Sequence, residues 1–233
     1  MSNVTPFRRG TGEQPDLTAG RAGGMVVIAL ASPAAGAGCT MLAAHIAVQS
    51  GLTGDGPVGV LDTDPKGALF QWWNRRQGKV DAPAYGALCD AAGIALTLDG
   101  MGTAGARLCV IDTAAGDAAA LSPIAERADM VVIPSDAAAG SADEAAALGR
   151  ALSKQAAIAY VINCRGHSGG EDGNALAAMS SGGGWPAGTV QHANAYAIAM
   201  TAGRSVMESH AGSDAAQDIA ELWRNLRGIL VAG

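Results

Sequence analysis

The sequence is poor in lysine, in aromatic residues and in long apolar runs. Of its 233 residues only three are lysines, at positions 66, 79 and 154, and the formal net charge is −6. Such a chain has no overall positive field that would attract a polyanion, so its charge does not support nonspecific DNA binding. The arginine pairs at 8–9 and 75–76 leave two interpretations open, a local basic patch or an ordinary solvated face.

Paired cysteines and apolar segments of membrane-spanning length are missing as well. The four cysteines, Cys39, Cys89, Cys109 and Cys164, are far apart and form no C-x-x-C pair, so neither a zinc site nor a disulfide framework is predicted. No apolar stretch precedes Met25, and no later run approaches the length of a transmembrane helix. We therefore expect reduced thiols, a cytoplasmic location and no membrane partner.

Aromatic residues make up only 4% of the chain, whereas alanine and glycine are abundant. This composition suits helices packed closely on a sheet and tight turns between strands and helices, so it favours an α/β fold over an all-β fold. Residues 1–23 are polar and lack a periodic apolar pattern, which predicts a flexible tail. A single domain is then expected from residue 24 to residue 233.

Five short apolar runs follow the tail, at 25–31, 58–61, 108–111, 130–133 and 158–162. Their apolar residues are continuous rather than alternating, as in strands that are covered on both faces. They predict a doubly wound α/β fold whose mostly parallel sheet is flanked by helices. The glycine- and serine-rich stretch 166–184 is expected to be a mobile loop around a short helix. The last segment predicts a helix with a core-facing stripe of Ile219, Leu222, Trp223 and Leu226.

A glycine-rich turn, residues 32–40, follows the first apolar run and opens a helix-compatible stretch. Successive backbone N–H groups at a helix N-terminus form an anion site, and Gly36 and Gly38 permit the backbone path that such a site needs. Thr40 is placed to offer its hydroxyl to magnesium beside bound phosphates. Taken alone, the turn has a second interpretation, because any tight connection from a strand to a helix favours glycine.

Three aspartates stand at predicted strand ends. Asp62 and Asp64 leave the second run two residues apart, and Asp112 ends the third. Carboxylates at the carboxyl edge of a parallel sheet can hold the water shell of a metal and orient an attacking water. The alternatives are that Asp64 caps a helix whose first residue is Pro65, and that Asp112 belongs to a simple turn.

In this order, the motifs resemble those of the ParA/MinD family of deviant-Walker P-loop ATPases, over roughly residues 25–228. The family loop K-G-G-x-G-K-T is matched by residues 34–40 and its D-x-D-P-Q-G motif by 62–67. Its W-x-x-R-R helix is matched in part by 73–76, and the last five positions of its I-I-D-T-P-P motif by 111–115. Further matches are the strand ends 131–134 and 161–163 and the spaced residues Tyr196, Ala199, Gly203, Val206 and Glu208.

The resemblance implies a P-loop NTPase-like fold and a role in partitioning or positioning. It implies ATP or ADP and Mg²⁺ as ligands, a homodimer, and a protein partner or cargo. It places the nucleotide against the loop and the base against Asn163, the magnesium near Thr40, Asp62 and Asp112, and the attacking water near Asp64. The residues implied to surround the nucleotide in the loop are Gly36, Ala37, Gly38, Cys39, Thr40 and Met41.

The two lysines that the family carries in this loop are absent. Ala34 stands in the place of the signature lysine and Cys39 in the place of the Walker lysine. Losing a cation that stabilises transition-state charge costs about a hundredfold or more in rate, so hydrolysis is expected to be weak or absent. Whether the chain is an enzyme stays open. One reading is a positioning protein with a degenerate nucleotide site, and the alternative is a nucleotide-independent pseudo-ATPase that acts as a protein-interaction adaptor.

Other departures from the family pattern lie near the same site. Ala193 replaces an arginine, and Ala114 and Ala115 replace the prolines after the third motif. Lys66 replaces a glutamine and is either a substitute charge or a surface lysine. Cys39, at a helix N-terminus, is either a reactive thiol of lowered pKa or a small buried residue.

Overall fold

The structure, a computed structural model, describes Leu17 and residues 24–76, 83–163 and 172–232. This part of the chain forms seven strands: β1 Val26–Leu30, β2 Val58–Asp62, β3 Tyr85–Leu88, β4 Leu108–Asp112, β5 Met130–Ser135, β6 Ala157–Asn163 and β7 Trp185–Val190. They build one sheet in the order β3-β2-β4-β1-β5-β6-β7, and every neighbouring pair is parallel. The predicted α/β fold with a parallel sheet is confirmed.

Helices connect the strands and cover both faces of the sheet. Those of the described ranges are α1 Cys39–Leu52, α2 Ala68–Arg76, α3 Ile94–Thr103, α4 Ala118–Ala125, α5 Ala139–Leu152, α6 Asp172–Ser180, α7 Asn194–Thr201, α8 Val206–Ser209 and α9 Asp214–Ala232. Helix α6 is the short helix predicted within the glycine-rich stretch. Residues 164–171, which include Cys164 and the start of that stretch, lie outside the described residues, as does all of the predicted tail except Leu17.

Strand β1 shows why its apolar run is continuous. Val26, Ile28 and Leu30 face one core layer, whereas Val27 and Ala29 face the other, and all five side chains are buried. The first layer is closed by α1, α2 and α7–α9 and the second by α3–α6. A central strand of a doubly wound sheet meets a helix layer on each face, so neither face can be polar.

The C-terminal helix α9 closes the first layer beside β7. Its predicted stripe is buried, and Trp223 also donates from its indole nitrogen to the hydroxyl of Thr53 at 2.9 Å. Leu17 is only 8% exposed and packs in the same layer. The core-facing role predicted for the stripe is therefore confirmed.

Helix α2 is fixed at its C-terminal end by buried polar contacts. The Arg76 guanidinium donates to the Gly203 carbonyl at 3.1 Å and to Glu208, and it lies 4.6 Å above the ring of Trp72. The Trp72 indole donates to the carbonyl of Arg204 at 3.0 Å. The W-x-x-R-R segment and the segment around Gly203 thus meet in space, which ties α2 to the α7–α8 connection.

The two edge strands were not among the predicted runs. β3 is only partly buried along its length, and β7 begins with Trp185, which is 53% exposed, followed by Pro186. An edge strand has one neighbour and a partly open face, so its sequence needs no continuous apolar run. Within the described ranges, no helix combines the length and the hydropathy that a bilayer crossing requires.

Candidate functional site

The glycine-rich turn connects the carboxyl end of β1 to the N-terminus of α1. Gly36 and Gly38 have φ values of 84° and 100°, a left-handed region that residues with a Cβ rarely adopt. Helix α1 begins at Cys39, and no side chain caps its first turn. The exposed segment Ala34–Gly36 and the unsatisfied N–H groups of α1 therefore form the kind of backbone cradle that favours an anion.

A threonine and an aspartate meet below this cradle. The Thr40 hydroxyl, in the first turn of α1, donates to Oδ2 of Asp112 at 2.6 Å. The pairing of β1 with β4 brings them together, since Leu30 and Asp112 are register partners at the strand ends. Asp112 is fully buried, and its Oδ1 finds no hydrogen-bond partner among the described residues. A buried carboxylate oxygen left without a donor is a natural ligand for a hydrated cation.

The pKa of Asp112 reflects its burial and its charged neighbours. It is raised from 3.8 to about 7, chiefly by burial and further by the carboxylates of Asp62 and Asp64, while the hydrogen bond from Thr40 acts in the opposite direction. The charges that bear on Asp112 within the described residues are thus negative. This is the electrostatic setting in which a bound Mg²⁺ would be favoured.

Asp62, at the end of β2, is also fully buried, but its oxygens are engaged. Oδ1 accepts from the backbone N–H of Asp64 at 3.0 Å, and Oδ2 accepts from that of Phe70 at 2.9 Å. Burial is the main cause that raises its pKa. Asp62 therefore holds the turn between β2 and α2 and the first turn of α2, a role that the spacing of the carboxylates did not predict.

Asp64 lies half-buried at the entrance of the same turn. Its Oδ1 accepts from the backbone N–H of Lys66 at 2.9 Å, and its carbonyl accepts from Gly67 at 2.8 Å. Helix α2 begins at Ala68, so the alternative in which a helix starts at Pro65 is wrong. The side chain of Lys66 is exposed and is not among the charges that shift the pKa of Asp62 or Asp112. This placement favours the surface interpretation of Lys66.

Asn163 ends β6 and contacts the loop itself. Its Nδ2 donates to the carbonyl of Ala37 at 2.7 Å. A Cβ on Gly38 would overlap that amide nitrogen, so the loop glycine is required for this approach as well as for its φ. The structure thus brings Asn163 to the predicted site and shows it supporting the loop.

A cleft runs beside the loop toward β5 and α5. It is lined by loop residues 32–37 together with Ser135, Asp136, Glu144 and Asn163. The strand end predicted at Pro134 leaves out the two polar residues that follow, Ser135 and Asp136. The signal available was their position directly after a buried strand, at the edge where ligands of parallel sheets bind.

Cys39 and Met41 pack against the first core layer from the start of α1. The pKa of the Cys39 thiol is raised, by burial first and then by the nearby carboxylate of Asp112. The interpretation of Cys39 as a thiol of lowered pKa is therefore wrong, because burial and the neighbouring carboxylate both disfavour the thiolate form. The alternative of a small, largely buried residue agrees with the structure.

No ready-made metal cage accompanies these residues. In the part of the chain that the structure describes, no three His, Cys, Asp or Glu side chains are grouped so that they could hold a metal ion. Mg²⁺ is commonly held by one or two protein oxygens, waters and substrate phosphates rather than by a full protein cage. The Thr40 and Asp112 pair fits that mode of binding.

Comparison with known proteins gives fold-level likeness. No protein-family model and no curated protein matches this chain significantly. The cell division ATPase MinD of Pyrococcus furiosus superposes with a TM-score of 0.72 at 16% identity, covering 88% of this chain and 99% of that one. The septum site-determining protein MinD of Pyrococcus horikoshii, complexed with Mg-ADP, gives 0.71 at 16% identity over 88% and 98% of the two chains.

A third similar structure is that of a plasmid partition protein. A putative plasmid partition protein of Borrelia burgdorferi, bound to AMPPNP, superposes with a TM-score of 0.64 at 13% identity, covering 88% of this chain and 99% of that one. At such identities the likeness establishes the fold. The predicted P-loop NTPase-like fold, in the form found in MinD and plasmid partition proteins, is confirmed.

Proposed function

We propose that this chain is a ParA/MinD-like positioning protein that binds ADP or ATP with Mg²⁺ in its glycine-rich loop and hydrolyses ATP weakly or not at all. The observation that carries the proposal is the pair of Thr40 and Asp112 directly below the loop, with one buried carboxylate oxygen left without a donor. The fold shared with a MinD complexed with Mg-ADP and a partition protein bound to AMPPNP supports the same ligands.

The nucleotide phosphates would be held by backbone N–H groups and by the dipole of α1. The residues that would contribute are Gly36, Ala37, Gly38, Cys39, Thr40 and Met41. Thr40 and Asp112 would hold Mg²⁺, directly or through waters, and the ion would supply the positive charge that stabilises the phosphates. Asp62 would contribute indirectly, because it accepts a hydrogen bond from the backbone N–H of Asp64 and so fixes the turn that carries Asp64. Asn163 would support the phosphate cradle, since its Nδ2 donates to the Ala37 carbonyl, and the contact with adenine that the resemblance implies for it is the competing role.

Catalysis is expected to be poor because the loop offers no lysine. Ala34 and Cys39 occupy the two positions, and Lys66 is exposed. Asp64, half-buried at the turn after β2, would orient the attacking water if turnover occurs. We also propose a homodimer and a protein partner or cargo, by analogy with a MinC:MinD complex of Aquifex aeolicus that shares the fold at a TM-score of 0.66 and 16% identity. The negative net charge gives no support to DNA as the partner.

A second proposal is a nucleotide-independent adaptor with this fold. It is favoured by hydrogen bonds that the site residues make with one another. Thr40 donates to Asp112, and Asn163 donates to the loop carbonyl of Ala37. Such contacts stabilise the loop without any ligand. The adaptor would keep the partner surface of the fold and lose its chemistry.

Thermal unfolding with and without Mg-ADP or Mg-ATP tests the first proposal, since a ligand of the native state raises the midpoint. We expect a shift in the wild-type protein and a smaller one in Thr40→Val, which removes the hydroxyl and keeps the shape. Thr103→Val is the matched control, because that hydroxyl donates to the Asp99 carbonyl within α3, away from the loop. The absence of any shift at millimolar nucleotide would refute the first proposal and leave the adaptor.

Phosphate release separates a weak enzyme from a binding protein. Turnover that survives repurification and disappears in Asp64→Ala would show an ATPase and contradict the adaptor proposal. Light scattering with and without Mg-ATP tests the dimer: a mass of two chains in either condition supports it, and one chain in both refutes it.

A further inference from the structure

Helix α3 carries an exposed stripe that the packing of the fold does not explain. Its members are all exposed and follow the i, i+3, i+4, i+7 spacing of one helix face: Leu96, Asp99, Gly100 and Thr103. Leu96 is 80% exposed, more than any other large apolar side chain among the described residues. The opposite face of α3 already packs into the second core layer, so Leu96 adds little to the stability of the monomer.

Gly100, within this stripe, is not required by the backbone of the monomer. Glycine is unfavourable inside a helix, and it is needed where φ is positive or where a neighbour comes close. Neither reason applies here, because the φ of Gly100 is not positive and a Cβ added there would meet no atom within 4 Å. The same holds for Gly102. On an exposed helix face, glycine permits the close approach of a second backbone.

A groove of about 570 Å³ lies beside the stripe, between α3 and the turn that follows α4. Val27 and Leu98, which are 6% and 7% exposed, line its inner part. Asp99 on α3 and Arg127 in the turn are exposed and line its two sides. Within the described ranges, neither of these two charged groups has a hydrogen-bond or ion-pair partner. The groove therefore offers one unpaired charge of each sign beside apolar side chains.

We propose that α3 and this groove form a contact between two copies of the chain related by a two-fold axis. In such a contact the same surface meets itself, so it has to be complementary to its own copy. With the two α3 helices antiparallel and crossing near Gly100, Leu96 of each copy lies against the groove of the other. Asp99 of each copy then faces Arg127 of the other, and both pairs have opposite charges.

This contact is separate from the glycine-rich loop and goes beyond the proposed function. The groove lies at the amino end of β1, where Met25 and Val27 line it, whereas the loop follows the carboxyl end of that strand. The association therefore requires no nucleotide. Burial of Leu96 supplies most of the affinity, and the charges set the orientation, because exposed ion pairs add little free energy. A surface of this size predicts weak, reversible association.

Sedimentation velocity of the full chain without nucleotide, over a series of protein concentrations, tests the contact. We expect the wild-type protein to change reversibly from one chain to two as its concentration rises. Leu96→Ser should weaken association at least about tenfold, because each dimer loses two leucine contacts. Leu52→Ser is the matched control: Leu52 is 62% exposed at the end of α1, in the other helix layer, and its loss should leave association unchanged.

Charge reversal tests whether the groove takes part. Asp99→Arg and Arg127→Asp should each weaken self-association, because like charges then face each other across the two-fold axis. An equimolar mixture of the two variants should associate again, since every facing pair in the mixed dimer has opposite charges. Within either single variant the two groove charges have the same sign, so an attraction inside one chain cannot produce this recovery.

Gly100→Gln separates the contact from the stability of the monomer. The added side chain meets open space, so the free energy of unfolding in urea should rise with the better helix propensity. The same side chain blocks the approach of a second α3 and should weaken association. A structural role of Gly100 within the monomer predicts the reverse, a less stable protein.

Several outcomes would overturn the inference. One is a wild-type protein that stays a single chain at every concentration up to about 1 mM. Another is a dimer that Leu96→Ser and Gly100→Gln leave unchanged. A dimer that forms only with nucleotide would also overturn it and leave the proposed function standing. Failure of the two charge variants to associate on mixing would contradict the pairing of Asp99 with Arg127.

Discussion

The guanidinium of Arg76 lies 2.7 Å from the carboxylate of Glu208, although 132 residues separate them in the sequence. Arg76 is 2% exposed and Glu208 14%. Glu208 also accepts from the backbone N–H of Ser205 at 2.7 Å, so one carboxylate joins α2 to the start of α8. Burial alone would raise the pKa of Glu208, but the hydrogen bonds from Arg76 and Ser205 outweigh it and lower the pKa.

Removing Arg76 should destabilise the fold strongly, because Glu208 then remains as a largely buried charge without its cation. For Arg76→Met we expect the free energy of unfolding to fall by about 3 kcal/mol, measured by urea unfolding. Arg75→Met is the matched control, since Arg75 is exposed and its guanidinium donates to the Met200 carbonyl at a long 3.4 Å. Equal losses in the two variants would contradict a specific role for the ion pair.

Gly38 should be the most demanding position in the loop. Gly38→Ala introduces a Cβ at a φ of 100° and against the amide of Asn163, and we expect it to cost about 1–3 kcal/mol of stability. Gly54→Ala is the control for backbone strain alone, because Gly54 has a φ of 87° and a Cβ added there would meet no atom within 4 Å. The excess loss at Gly38 should shrink when Asn163 is also changed to alanine. An identical loss at both glycines would show that the contact with Asn163 is unimportant.

Asn163 should act on nucleotide affinity through the loop. Its Nδ2 is bonded to the Ala37 carbonyl, so Asn163→Ala removes support from the phosphate cradle and leaves the base unaffected. We expect the affinities for Mg-ADP and Mg-GDP to fall by a similar factor of about ten, as for the loss of one hydrogen bond. Titration calorimetry with both nucleotides checks this. A loss confined to Mg-ADP would instead indicate direct recognition of adenine.

Asp112 should make stability fall as the pH rises. Its pKa is about 7 in the fold against 3.8 as a free side chain, so between these values the folded state holds a proton that the unfolded chain has released. Asp112→Asn removes this dependence and should gain stability over the wild-type protein from about pH 4 to about pH 7, each pKa unit being worth about 1.4 kcal/mol. Urea unfolding of both proteins across this range measures the difference. A gap that does not change with pH would contradict the prediction.

His45 should produce the opposite dependence. Its imidazole is fully buried in α1, bonds the Met41 carbonyl through Nδ1 and stands edge-on to Tyr196. Burial chiefly lowers its pKa from 6.5 to about 4, a direction that Arg76 supports and that Glu208 and the Met41 carbonyl oppose. Below about pH 6.5 the unfolded chain binds a proton that the fold does not, so stability falls as the pH decreases toward 4.

His45→Phe keeps a ring against Tyr196 and should abolish this acid destabilisation, as measured by urea unfolding between about pH 6.5 and pH 4. His192→Phe, at an exposed position between β7 and α7, should leave it unchanged. A steep loss of stability in His45→Phe over the same pH range would assign the effect to another group.

Much of the candidate site could be predicted from the sequence. Strand ends at the carboxyl edge of a parallel sheet converge, so Thr40, Asp112 and Asn163 could be placed together once the strands were recognised. The roles of Asp62 and Cys39 could not. Asp62 accepts hydrogen bonds from two backbone N–H groups, and the spacing of the carboxylates does not predict the turn that brings those groups to it. The pKa of Cys39 depends on its burial and on the nearby carboxylate of Asp112.

By itself, the sequence determined the central strands, their parallel arrangement and the glycine path of the loop. These follow from local rules: a doubly covered strand must be apolar on both sides, and a left-handed φ favours glycine. Only the tertiary structure decided the edge strands, the junction of Arg76 with Glu208, and the negative surroundings of Asp112. These depend on groups far apart in the chain, and the effect of a charge is set by its neighbours and by its distance from water.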